Sequence, residues 1–211
     1  VSGATLAETA YEQIRDDIVA GRIPGETVLS ERALTETLGV SRTPLRAAIQ
    51  RLENEGIVDR LNNGVVLVRS VTVEQLLQIV QLRQALERAA AGRAARHGTT
   101  KALTQIRAQM QEIVEGTVTT FDTFWEADGA FHRAVAEAAH LVILPSILEE
   151  QRAIARRCSL TRTYDTFVDQ AREHVQIADA IAEHDSEAAE ALMAAHFDHV
   201  RTRFLGTFST S

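Results

Sequence analysis

Asp128 and His132 stand i, i+4 in a stretch whose apolar residues follow helical spacing, so a helix there aims both side chains at one point. His174 lies seven residues from both Phe167 and Ile181, which puts it on the apolar face of a later helix, and His196 shares a face with Leu192 on the next. His184-Asp185-Ser186 is a turn between those two helices, about ten residues from either histidine, so antiparallel packing brings His174 and His196 level. One carboxylate and three converging imidazoles are a donor set for a divalent first-row metal, with positions left for water or ligand oxygens. His199 is an alternative third imidazole and His140 a weaker one. Arg83 interrupts the apolar stripe of Leu76, Ile79, Leu86 and Ala90, and a guanidinium facing a core must be paired. Its partner is either an acid such as Glu87 or Asp128, or the carboxylate of a ligand held beside the metal. Phe121, Phe124, Trp125 and Phe131 supply core or pocket wall around the same place.

A second set of residues suits a different chemistry. Between Gly39 and Arg51, helical spacing gathers Leu45, Ala48, Ile49 and Leu52 on one side and Arg42, Arg46 and Gln50 on the other. Ser41 is placed to cap that helix, and Pro44 sits early enough that its missing N–H breaks no later helix bond. A helix N-terminus beside arginines suits phosphates, and the arginine face beyond it suits a major groove.

These side chains need elements to hold them. Residues 6–20 carry a helical stripe of Ala7, Tyr11, Ile14 and Ile18, and Ile23-Pro24-Gly25 is a turn. Ser30 caps a short helix to Leu38, and Gly39 to Ser41 connect it to the arginine-bearing helix, which makes a helix-turn-helix. Two β-prone pieces around Asn62-Asn63-Gly64 then form a hairpin, in the position of a wing. From Val71 onward six helices with short connections are expected, roughly 72–96, 103–113, 121–135, 141–157, 167–181 and 186–205, with a frayed tail from Gly206. The fold class is therefore mainly α, with a winged helix-turn-helix domain over residues 1–70 and an antiparallel helical bundle over 71–211.

Composition narrows the functional classes. The net charge is −7, and the first 70 residues hold eight arginines against ten acids, so the chain cannot coat a polyanion along its length. Residues 42–51 nevertheless contain three arginines and no acid, a local patch for nucleic acid. The single Cys158 excludes an intramolecular disulfide and a cysteine zinc motif. With no long apolar run, a cytoplasmic location away from membranes is expected.

Residues 11–68 resemble the winged helix-turn-helix domain of GntR-family transcriptional regulators through Tyr11, Pro24-Gly25, Ser30-Glu31-Arg32, Leu38-Gly39-Val40-Ser41-Arg42-Thr43-Pro44, Arg46, Glu55-Gly56 and Gly64. That resemblance implies operator contacts by Arg32, Arg42, Thr43 and Arg46 and a wing tip at Asn63-Gly64. Ala47 departs from it where the family commonly has Glu. Residues 71–205 are similar to the FCD effector domain of the FadR-type branch through Leu82-Arg83-Gln84-Ala85-Leu86-Glu87, Asp128-Gly129-Ala130-Phe131-His132, Glu173-His174 and Ala195-His196. By that resemblance Asp128, His132, His174 and His196 bind zinc first, with nickel or manganese as alternatives, and a small organic acid completes the site next to Arg83 and Trp125. The six-helix count points to the VanR-like subgroup.

The expected function is a ligand-responsive regulator that reads a pseudopalindromic operator as a homodimer, because one recognition helix covers only a half-site. Two other classes stay open on sequence: a metal-dependent hydrolase or lyase, and a helical interaction module with structural metal. An enzyme is not expected, because no HExxH motif or nucleophile constellation accompanies the histidines.

Overall fold

A computed structural model of the chain describes residues 4–157 and 164–208. Two compact units divide it, one built on Val1–Val73 with Ala153–Ser159, the other on Glu74–Arg152 with Leu160–Ser211.

The first unit runs α1 (Leu6–Val19), β1 (Val28–Leu29), α2 (Glu31–Leu38), α3 (Arg42–Asn54), β2 (Val58–Arg60) and β3 (Val66–Val68). Its core joins the predicted faces with one change, Ala10 in place of Ala7: Ala10, Tyr11, Ile14 and Ile18 of α1 pack with Leu45, Ala48, Ile49 and Leu52 of α3. Burying each of the larger of these side chains contributes about 1.5–3 kcal/mol, which fixes the underside of α3 and leaves its opposite face exposed. Gly39 closes α2 in the left-handed conformation, φ 65°, where a Cβ would be strained. The hairpin forms as expected, with Val58 opposite Val68 and Arg60 opposite Val66. At its tip Gly64 takes φ 82°, and Asn63 Oδ1 accepts from the Val65 N–H at 3.1 Å.

One strand was not anticipated. Val28 and Leu29 pair antiparallel with Leu67 and Val66, giving a three-stranded sheet in the order β1-β3-β2. Two residues are too few to show an alternating pattern, and this strand exists through its partner across some forty residues of chain.

The remaining helices are α4 (Val73–His97), α5 (Lys101–Val114), α6 (Phe121–Ala138), α7 (Leu144–Arg156), α8 (Tyr164–Ala182) and α9 (Ser186–Phe208), of which α4 after Val73 and α7 up to Arg152 fall in the second unit with the whole of the others. α5 packs on α6 and α8, and α8 also packs on α9. α4 meets α9 through Gln84 Nε2, which donates to the Ala194 carbonyl at 2.8 Å, and through Ser186 Oγ, which donates to the Gly92 carbonyl at 2.8 Å. Two boundaries differ from expectation. α7 starts at Leu144 rather than near Leu141, because His140 adopts φ 56° and the following residues turn, with the Leu144 N–H on the Leu141 carbonyl. α9 continues through Gly206 to Phe208 instead of fraying there. Cys158 and Thr161 to Thr163 lie outside the described residues. Among the described residues no helix is long and apolar enough to cross a membrane.

Candidate metal centre and nucleic-acid interface

α6 carries Asp128 and His132 one turn apart, α8 carries His174, and α9 brings His196 back alongside it after the turn at residues 183–185. The three imidazoles meet: one nitrogen from each of His132, His174 and His196 lies within 4.8 Å of the other two. All three are buried, with His174 fully so. Asp128 Oδ1 lies 3.7 Å from His132 Nε2 and 3.6 Å from His174 Nε2, so the carboxylate faces the same space.

The outer nitrogens explain which way the rings point. His196 Nδ1 is hydrogen-bonded to Glu173 Oε2 at 2.7 Å, and His132 Nδ1 lies against Glu87 Oε2 without hydrogen-bond geometry, so both outer nitrogens face carboxylates. A carboxylate on the far nitrogen fixes the ring and its tautomer, as behind metal-bound histidines generally. His174 differs, because it is stacked on Phe131 with centroids 4.1 Å apart and neither ring nitrogen has a hydrogen-bond partner among the described residues. A fully buried imidazole with two unmet nitrogens costs free energy unless something else uses them, and an inward Nε2 between two other imidazoles fits a cation. The three imidazoles thus fit a divalent first-row metal, zinc included, while Asp128 faces His132 and His174 but falls outside the group whose donor atoms all lie within 4.8 Å of one another.

Burial and neighbouring charges favour neutral His174 and His196 and an ionised Asp128. Burial, and then the neighbouring His196, hold His174 well below the ordinary histidine value. His196 is also lowered, by burial, although Glu173 opposes the shift. Burial alone would raise Asp128 and Glu87, but Arg152 together with His132 and His174 outweighs it at Asp128, and Arg83 with His132 outweighs it at Glu87, which is held at about 2. Glu173 is likewise held at about 2, since the bonds from His196 and Arg203 overcome its burial. One consequence is measurable in chelator-treated protein. As pH falls below about 6.5, the unfolded chain protonates its histidines before His174 and His196 do, so the unfolded state gains protons and stability falls with pH. Thermal midpoints should therefore drop between pH 7.5 and pH 5.5, above the range in which Glu87 and Glu173 titrate in either state. A flat profile there would contradict neutral, buried imidazoles.

Arg83 takes the first of its two alternatives. Its Nε donates to Glu87 Oε1 at 2.7 Å, while Nη2 is buried with no hydrogen-bond partner among the described residues. Asp128 is paired instead with Arg152 of α7, a residue the sequence reading did not single out. The signal was available: Leu144, Leu148, Arg152 and Ala155 follow i, i+4, i+8, i+11 on the buried face of α7, the pattern that drew attention to Arg83. Trp125 is buried, with the Arg152 guanidinium 4.3 Å above its ring. His199 is not part of the cluster; it is exposed on the outer side of α9 and sits 2.9 Å from Glu173 Oε1. His140 lies against His97 on the surface, ring centroids 4.3 Å apart and planes tilted by 30°.

In the first unit, Arg42, Thr43 and Arg46 are exposed on α3, with Ser41 exposed at its start. Arg46 Nε donates to Glu31 Oε2 at 3.1 Å, and Arg32 on α2 donates to Glu36 at 3.2 Å. Asn63 and Gly64 are exposed at the wing tip. Ser41 occupies the N-cap position but makes no capping bond. Thr5, Ser30, Thr100 and Thr120 all cap their helices by accepting from the N–H three residues on, and in α3 that residue is Pro44, which has none. The third arginine of the patch, Arg51, turns away: its guanidinium covers the Tyr11 ring at 3.7 Å and donates to Glu55, which also accepts from the Tyr11 hydroxyl.

Comparison with known proteins agrees with both halves. Residues 6–68 match the family described as bacterial regulatory proteins, gntR family, and residues 78–199 match the FCD domain. The chain is 28% identical over 196 residues to the uncharacterized HTH-type transcriptional regulator YdhC of Bacillus subtilis, covering 90% of this chain and 86% of YdhC. It is 26% identical to the HTH-type transcriptional repressor RspR of Escherichia coli, over 90% of this chain and 85% of RspR. Among solved structures, E. coli McbR/YncC shares the fold with a TM-score of 0.67 at 18% identity, covering 98% of this chain and all of that one (100%).

Proposed function

Since the chain belongs to the GntR family of bacterial regulatory proteins and carries an FCD domain, a family of non-catalytic regulators, we propose that it binds a pseudopalindromic operator as a homodimer, its DNA affinity set by a small carboxylate held beside a divalent metal. The proposed metal ligands are Asp128, His132, His174 and His196, with zinc the first choice and nickel or manganese the alternatives. The observation that carries this reading is His174, fully buried with both ring nitrogens unmet among two other imidazoles and a carboxylate.

The charges support an anionic effector. Arg83 and Arg152 cancel Glu87 and Asp128, so the buried set is neutral when its histidines are neutral. When a divalent cation is present the site has surplus positive charge, which is costly in a low-dielectric interior and which an acid anion offsets. Arg83 Nη2 supplies an unmet donor for that anion, and Trp125 a wall beside it. We assign the DNA contacts to Arg32, Ser41, Arg42, Thr43 and Arg46 with Asn63 and Gly64 at the wing, domain limits of 1–70 and 71–211, and membership of the VanR-like six-helix subgroup. A cytoplasmic location follows from operator DNA as the partner.

Selection of duplexes from a random pool by the full chain tests this. The expected result is enrichment of one short inverted repeat with half-sites one helical turn apart. Recovery of no enriched sequence would contradict operator reading.

A further inference from the structure

Gly129 interrupts α6 in its middle, where glycine weakens a helix by up to about 1 kcal/mol relative to alanine. Its neighbour explains it. A Cβ at Gly129 would lie 3.0 Å from Arg152 Nε and Nη2 and 3.2 Å from Cζ, so the guanidinium rests on the helix where the side chain is missing. From there Nη2 donates to the Trp125 carbonyl at 2.6 Å and Nη1 donates to Asp128 Oδ2. Trp125, Asp128 and Gly129 follow i, i+3, i+4 on α6, so one guanidinium spans one turn of that helix. Arg152 is itself buried, and beside His132 and His174 it is one of the groups that hold Asp128 low despite burial.

We propose that Arg152, seated on Gly129, is the positioning residue for Asp128: by holding Oδ2 it leaves Oδ1 facing the imidazoles and so sets the affinity of the metal centre. The proposal rests on the metal reading of His132, His174 and His196. Glu87 and Glu173 do the same for two imidazoles through their outer nitrogens. Arg152 extends that outer layer to the carboxylate ligand and makes α7 part of the site.

Titration of the full metal-free chain with Co(II), read by visible absorption, tests this. Wild-type protein should take up one ion with a ligand-field spectrum. Arg152→Met should weaken binding about 10–100-fold, the range for residues behind metal ligands, and alter the spectrum because Asp128 is no longer held. Arg152→Lys, with one donor group in place of the fork, should recover part of the loss. Gly129→Ala keeps every charge and favours the helix, yet should weaken binding by about tenfold by displacing the guanidinium. Affinities within twofold of wild type, or tighter, with an unchanged spectrum in Arg152→Lys and Gly129→Ala would overturn the assignment even if Arg152→Met failed to fold. No Co(II) uptake by wild-type protein would overturn the metal reading and this assignment with it.

Discussion

His174→Leu is expected to abolish stoichiometric metal binding and, in the same molecule, to raise the thermal midpoint of the metal-free protein. The two effects share one cause. With four protein donors contributing to a binding free energy on the order of 10 kcal/mol or more, losing one removes roughly 3 kcal/mol, over a hundredfold in affinity. The metal-free protein, however, carries His174 with both ring nitrogens unmet and no exposure. An unmet buried polar group costs about 1–3 kcal/mol, and leucine restores apolar packing of similar volume against Phe131 without that cost. A merely structural histidine would give the opposite outcome: loss of stability with metal content unchanged. Metal analysis and calorimetry on chelated and zinc-loaded samples separate the two.

Arg46→Ala should weaken binding to the selected operator by about 5–150-fold per half-site, the 1–3 kcal/mol of a bidentate base contact. Metal and carboxylate binding by the other unit should not change. The pair that Arg46 makes with Glu31 is solvent-exposed, with 65% of the arginine side chain accessible, so it contributes at most about 1 kcal/mol and yields readily to a stronger partner. Specificity at the contacted base pair should relax, whereas Arg51→Ala should alter stability more than operator choice, because Arg51 is engaged with Tyr11 and Glu55. Fluorescence anisotropy at matched salt checks both variants. Equal operator titrations for Arg46→Ala and parent would refute the assignment of the α3 face.

The elements around these residues were legible to different degrees, for physical reasons. The level placement of His174 and His196 followed from local quantities, a seven-residue repeat and a short turn. The same holds for the two faces of α3, and for the Arg83–Glu87 pair, which is i, i+4 on one helix. Asp128 went to Arg152 instead, since that pairing depends on how far α7 slides past α6. The slide is set by the left-handed His140 and the turn after it, which no periodicity encodes. β1 escaped notice because its two residues become a strand only against β3. Ser41 has the residue type of a cap, but the N–H that would complete it is absent at Pro44, which shows when the helix caps at Thr5, Ser30, Thr100, Thr120 and Asp185 are compared. Glu173 sits next to His174 in sequence, yet serves His196 on the neighbouring helix.

The central claim is that one buried centre governs how the arginine face meets DNA. Operator titration of the zinc-loaded chain against a panel of small mono- and dicarboxylates measures it directly. At least one acid should shift the operator Kd by about tenfold or more, within the usual 1–3 kcal/mol of coupling between sites, and the shift should disappear in His174→Leu. Identical titration curves with every acid, or an undiminished shift in His174→Leu, would contradict it.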